Sequence, residues 1–164
     1  MTTTVWRIVP RKFSESPHNP FDGEGARICG GRWNSVGTSI VYASATRSLA
    51  ILEKLVHAEG ELSALLECVA FPVIIPEVLI RTFDRSLLPN DWHLANGSPG
   101  LKLLGDAWIH RSDSPVLKVP SAVVIEEDNY LLNPLHPDFS RLVLGTAQPL
   151  PIDQRLLIRA KPIR

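Results

Sequence analysis

Little in this 164-residue chain points to a metal, a membrane or a disulfide framework. It has two cysteines, Cys29 and Cys68, far apart and without CxxC or zinc-ligand spacing. Two buried thiols in a reducing compartment are the simplest expectation. The five histidines, at 18, 57, 93, 110 and 136, form no HxxxH or HExxH pair, so no metal site is expected. Long apolar runs are missing as well. The longest, LECVAFPVIIPEVLI, is broken by Pro72, Pro76 and charged residues and cannot span a bilayer. The segment MTTTVWRIVPRKF lacks a charged stretch followed by an apolar one, so no signal peptide and a cytoplasmic location are expected. Neither charge is in excess: 17 Lys and Arg balance 17 Asp and Glu. A protein that grips nucleic-acid backbone usually shows a basic surplus, so direct nucleic-acid binding is not expected. The basic lean of Arg141, Arg155, Arg159, Lys161 and Arg164 against Asp153 reads as a solvated end. There is no GxGxxG, no P-loop GK[ST] and no internal repeat.

What is present is an ordinary globular composition, 45% hydrophobic and 21% charged, on a length that suits one domain over residues 1–164. VWRIV (5–9) alternates like a strand, and 14–31 reads as a long loop. SIVYAS (39–44) reads as a strand leading into a helix over SATRSLAILEKLVHAEG, capped by Ser44 or Thr46 with Gly60 past its end. ALLECVAFPV and EVLIRTF suggest strands. Ser98-Pro99 opens a second helix, GLKLLGDAWIHR. SPVLKVPSAVVIEEDNYLLNP gives one or two strands and a turn, and SRLVLG and QRLLIRA read as late strands. With 14 prolines among short strands, this pattern predicts a compact α+β fold with a mixed, split or bent sheet and flanking helices.

Candidate chemistry gathers at two places. In GGRWN, Arg32 offers a planar fork that suits phosphate, or an ion pair to a carboxylate, and Gly30 and Gly31 let a ligand approach the backbone. Tyr42 is a strand aromatic, either core or a ring on which a flat base stacks with its hydroxyl free for a ribose. On the following helix Leu52, Leu55 and Val56 are expected to face the core and Lys54 the water, with Glu53 at the edge of the apolar arc beside His57. Glu53 either pairs with His57 or points inward, where it needs a partner because an unpaired buried charge is costly. In VPSAVVIEEDNYLLNPLHP (119–137), Ser121 is a turn serine or a ligand hydroxyl. Glu126, Glu127, Asp128, Asn129, Asn133 and His136 crowd the far end, where Asn133-Pro134 and His136-Pro137 read as turn formers.

GGRWN, VYAS, the helix with LxxLEKLVH, and PSAVVIEEDNYLLNPLHP together resemble the RES domain, a family named for its arginine, glutamate and serine. The resemblance runs from VWRI to SRLVLG. It implies the toxin of a bacterial Xre–RES toxin–antitoxin pair, a fold similar to ADP-ribosyltransferase toxins, and an activity that degrades NAD+ by cleaving its nicotinamide–ribose bond. By the same resemblance Arg32, Tyr42 and Glu53 are catalytic, and Arg32, Tyr42, Ser121 and Asn133 bind substrate. NAD+ is then substrate, with no bound cofactor. The implied partner is an Xre-family antitoxin with a helix-turn-helix domain, and a homodimer is left open. In ADP-ribosyltransferase toxins the catalytic glutamate comes late, on a strand, whereas Glu53 is early and helical, so Glu126 and Glu127 stay in reserve. Two alternatives stand beside this expectation: transfer of ADP-ribose to a protein target, and a nonenzymatic module that holds a nucleotide or a partner.

Overall fold

The computed structural model describes residues 1–58, 63–95, 97–153 and 155. Its strands are β1 (Thr2–Pro10), β2 (Val41–Ser44), β3 (Cys68–Pro76), β4 (Ile80–Thr82), β5 (Val116–Pro120), β6 (Asp128–Leu132), β7 (Val143–Leu144) and β8 (Gln148–Pro149). The helices are α1 (Glu24–Cys29), α2 (Arg47–His57), α3 (Ser63–Leu66) and α4 (Pro99–Arg111). The strands form a mixed sheet in the order β4-β5-β6-β2-β1-β3-β7, with β8 also on β3. Among the described residues only β4 and β5 run parallel. The α+β architecture with a mixed sheet is therefore as the sequence predicts.

Alternation decides the two faces of the sheet. Val5 and Val9, Val41 and Ala43, Val69, Phe71 and Val73, and Tyr130 and Leu132 build one core. The opposite face carries Leu117, Val119 and Leu131, which pack with Trp33, Leu101 and Trp108 beneath α4. Farther along that face, Cys68, Ala70 and Leu65 pack with Trp6, Ile8, Ile51 and Leu55.

The sheet is weakest at its middle. β1 and β3 pair along nine residues, whereas β1 and β2 share a single register pair, Trp6 opposite Ser44. The strands part beyond that pair. α4 fixes the other side of the opening: a Cβ at Gly105 would lie 1.8 Å from the Trp33 carbonyl oxygen, so only glycine lets α4 pack this closely on the GGRWN segment.

Several expectations need correction. The loop at 14–31 contains α1, and the first part of ALLECVAFPV is α3 rather than strand. EVLIRTF opens with a 3-10 turn over Glu77–Leu79 before β4. Thr46, not Ser44, caps α2, accepting from the Leu49 N–H at 3.0 Å. Gly60 and most of QRLLIRA lie outside the described residues. Both cysteines are free thiols, but Cys29 is exposed and only Cys68 is buried. Among the described residues no helix is long and apolar enough to cross a membrane.

Candidate functional site

A cavity of about 800 Å³ opens where β1 and β2 separate. Arg7, Arg32, Tyr42, Ser44, Glu53 and Asn129 line it together with Trp6, Ala50 and Leu131. These polar residues come from four elements and the turn that carries Arg32, and strand register gathers two of them, Ser44 and Asn129, beside Ser121. Ser121 directly follows β5, Val119 stands opposite Asn129 on β6, and Asn129 stands opposite Ser44 on β2. By alternation these three side chains share one face of the sheet.

Glu53 comes down on that face from α2. It is four residues after Leu49 and three after Ala50, the two fully buried residues of the helix, so it lies inside the packed face and not at its edge. Leu52 and Val56 were expected in the core but are 40% and 57% exposed. The Ser121 hydroxyl donates to Glu53 Oε1 at 2.7 Å, and Asn129 Nδ2 donates to the same oxygen at 2.5 Å. His57 meets the Glu53 backbone carbonyl, 2.7 Å from Nδ1, and not its carboxylate. With both donors on Oε1, Oε2 is the oxygen left without a protein donor among the described residues. An inward carboxylate thus has the partners that burial demands.

Ser121 itself does not line the cavity. It is 0% exposed, and its oxygen accepts from the Val123 and Val124 N–H groups, both at 3.0 Å, while it donates to Glu53. All of its hydrogen-bonding capacity is used, so it holds the glutamate in place rather than offering a hydroxyl to a ligand.

Arg32 reaches the cavity from the turn after α1. Its Nη1 donates to the carbonyls of Trp92 (2.9 Å) and Leu94 (3.0 Å), which aims the guanidinium. The turn is itself anchored to α4, because Asp106 accepts the Ser35 N–H at 3.0 Å. Burial pushes the Asp106 carboxyl up, but hydrogen bonds from Ser35 and Thr38 outweigh this and hold it below the usual carboxylate range.

Tyr42 lines the wall, but its hydroxyl is not free for a ribose. It donates to Asn34 Oδ1 at 2.7 Å and accepts the Trp33 N–H at 3.1 Å. Burial raises its pKa above the ordinary tyrosine value. The glycines before Arg32 serve this packing. A Cβ at Gly31 would sit 2.6 Å from the Tyr42 hydroxyl, and Gly30 ends α1 at φ 70°. Both glycines also line the cavity.

Two lining residues are given no role by a motif-based reading of the sequence. Arg7 shares the face of Val5 and Val9, where alternation would ask for an apolar side chain. Its Nε donates to Pro20 O (2.5 Å) and its Nη1 to Tyr42 O (3.0 Å). Burial pushes its pKa down to about 10, with Asp22 opposing the shift. Asn129 is the second, in the strand DNYLL. The signal for both was a polar residue on an inward strand position.

A model of the RES domain matches residues 4–153. The chain belongs to the RES domain family. Toxin Res of Photorhabdus laumondii subsp. laumondii is 37% identical over 159 residues, covering 96% of this chain and 98% of its own. The Prs ADP-ribosylating toxin of a Sphingobium species is 33% identical over 164 residues, covering 98% of this chain and all of its own. The M. tuberculosis MbcT–MbcA toxin–antitoxin complex contains a chain of the same fold, with a TM-score of 0.70 at 21% identity over 92% of this chain and 85% of that one. With full-length relatives that are toxins, this RES chain is of the toxin class.

Within the RES chain, Arg32, Tyr42 and Glu53 share one cavity, and Ser121 stands directly behind Glu53. Asn133 does not join them. It is 1% exposed, and its Oδ1 accepts the Leu135 N–H at 3.0 Å in the turn after β6, the turn-forming role its Pro neighbour suggests. Glu126 and Glu127 lie in the β5–β6 turn outside the cavity, where Glu127 supplies a backbone carbonyl to the Ser121 N–H at 2.9 Å. Among the described residues no three histidine, cysteine or acidic side chains gather to hold a metal.

Proposed function

We propose that this RES toxin degrades NAD+ by cleaving the bond between nicotinamide and ribose. The observation that carries the proposal is a carboxylate with one oxygen fixed by two donors, in a cavity that also holds two arginines. Breaking the C1′–N bond sends the bonding electrons to nicotinamide, which leaves neutral, and develops positive charge on the ribose. Glu53 stabilises that charge through Oε2 at no cost of reorganisation, because its position is already set. Arg32 binds the pyrophosphate, the role suited to a planar cation. The Tyr42 ring packs the nicotinamide. An acceptor then bonds to C1′ and loses a proton, and NAD+ acts as substrate with no bound cofactor.

The name of the Sphingobium relative favours a second reading, in which a protein side chain takes the ADP-ribose. Purified protein incubated with NAD+ decides between them. Nicotinamide released with water or phosphate alone supports degradation, and release only with a protein acceptor supports transfer. No release under either condition overturns both and leaves a binding module. The partner in this reading is an Xre-family antitoxin, and the antitoxin bound in the M. tuberculosis complex supports a protein antitoxin as partner. Titration of the antitoxin in competition with NAD+ tests whether it covers the cavity.

A further inference from the structure

We propose that Ser44 and Asn129 form a positioning pair that sets the direction of the Glu53 carboxylate, a role that rests on the reaction proposed above. Asn129 is a planar amide with a donor end and an acceptor end. A carboxylate only accepts, so Nδ2 must be the end that faces Glu53 Oε1, 2.5 Å away. Oδ1 then points to Ser44, whose hydroxyl donates to it at 2.7 Å. The network permits one orientation, since turning the amide over would set two oxygen acceptors against each other.

The backbone enforces this arrangement. Ser44 and Asn129 are direct partners in the antiparallel β2–β6 ladder, and Ser44 is also the one β2 residue in register with β1, opposite Trp6. Ser44 is 4% exposed. The orientation of Glu53 is thus tied to the residue that forms the single register pair between β1 and β2. Ser121 alone leaves the carboxyl plane free to turn about its single hydrogen bond. The second donor, held at its far end by Ser44, removes that freedom. Asn129 therefore acts through Glu53 as a positioning residue.

The test uses the full chain with Asn129→Ala, Asn129→Asp, Ser44→Ala and the double variant Ser44→Ala/Asn129→Ala, reading kcat and KM for nicotinamide release beside thermal unfolding. Asn129→Ala is expected to lower kcat at least about tenfold with KM within about threefold, the pattern of lost alignment with substrate binding kept. Asn129→Asp keeps the shape but removes the donor, so it should be impaired as much as the alanine variant even if the latter folds poorly. Because the residues act in series, the double variant should be no slower than Asn129→Ala within about twofold. The proposal is overturned if Asn129→Asp turns over like the wild type, or if the losses from Ser44 and Asn129 multiply. Growth arrest on expression in bacteria separates this from the reaction itself. A wild-type chain that arrests growth but releases no nicotinamide refutes NAD+ cleavage. The same variants, graded by arrest, then still decide the pair: relief by Asn129→Asp upholds it, and undiminished arrest sinks it.

Discussion

The Arg7 guanidinium donates to the Tyr42 carbonyl, 3.0 Å across the gap where β1 and β2 part. A side chain thus supplies the hydrogen bond that the neighbouring strand's backbone no longer makes, and the opening can exist without an orphaned carbonyl on its wall. The same guanidinium holds Pro20 O of the long loop. Arg7→Met keeps the bulk but leaves both carbonyls without this donor. We expect a stability loss of about 1–3 kcal/mol, measured by denaturant unfolding, together with reduced nicotinamide release. Unchanged stability would show that water replaces the guanidinium at no cost.

Arg32→Lys retains the charge but cannot span the Trp92 and Leu94 carbonyls while presenting a fork to a ligand. Most activity should be lost with melting unchanged. A lysine variant with near wild-type turnover would show that Arg32 serves only to tie down the loop.

Glu53→Gln and Ser121→Ala should separate chemistry from support. The glutamine keeps the size and an oxygen acceptor, so the fold should stand while turnover collapses. The alanine removes the acceptor for the Val123 and Val124 N–H groups as well as the donor to Glu53. It should therefore lower stability by about 1–3 kcal/mol in addition to slowing the reaction. Thermal unfolding of the two variants side by side, with nicotinamide release, checks the contrast.

Both tyrosines of the chain, Tyr42 and Tyr130, have hydroxyls that burial pushes above the ordinary value; the Trp33 N–H opposes this for Tyr42. The unfolded chain releases these protons near pH 10, and the folded one at higher pH. Their contribution to stability is therefore complete below about pH 10 and declines as pH rises above it. Phenolate absorbance of the folded chain should therefore appear at higher pH than that of the chain in denaturant. A smooth titration near pH 10 in a chain that stays folded would contradict the burial of both rings.

Tyr42→Phe gives a further check on how the ring is used. The hydroxyl is committed to Asn34 and Trp33, so its loss should lower stability and spare KM for NAD+, whereas Tyr42→Ala should raise KM. A phenylalanine variant with normal stability and much weaker NAD+ binding would return the hydroxyl to the substrate.

Much of this molecule was legible in its residues. The cap at Thr46 and the Ser98-Pro99 start mark α2 and α4, and the alternation in VWRIV and SIVYAS marks the strands that border the cavity. Arg32, Tyr42, Glu53 and Ser121 could be named from motifs, but their division of labour could not. The broad apolar arc of α2, with Leu49, Ala50, Ile51, Leu52, Leu55 and Val56, hides which side packs inward, and only the sheet beneath shows that Glu53 lies within it. The Tyr42 hydroxyl, free for a ribose in one of the two readings, is taken by Asn34, eight residues earlier, through a turn no periodicity describes. Arg7 and Asn129 were visible as polar residues on inward strand positions. Their meaning depends on the parting of β1 and β2, a property of register that no single strand carries.

Glu53 and Asn129 are 76 residues apart in sequence, and Ser44 and Asn129 are 85 apart. The ribosome therefore makes Arg32, Tyr42 and Glu53 long before the strand that aligns the carboxylate. At about 5–20 residues per second, several seconds pass between the emergence of α2 and that of β6. During synthesis the nascent chain carries the glutamate but not its alignment, so the cell that makes this toxin is exposed to it only once the late strand has joined the sheet.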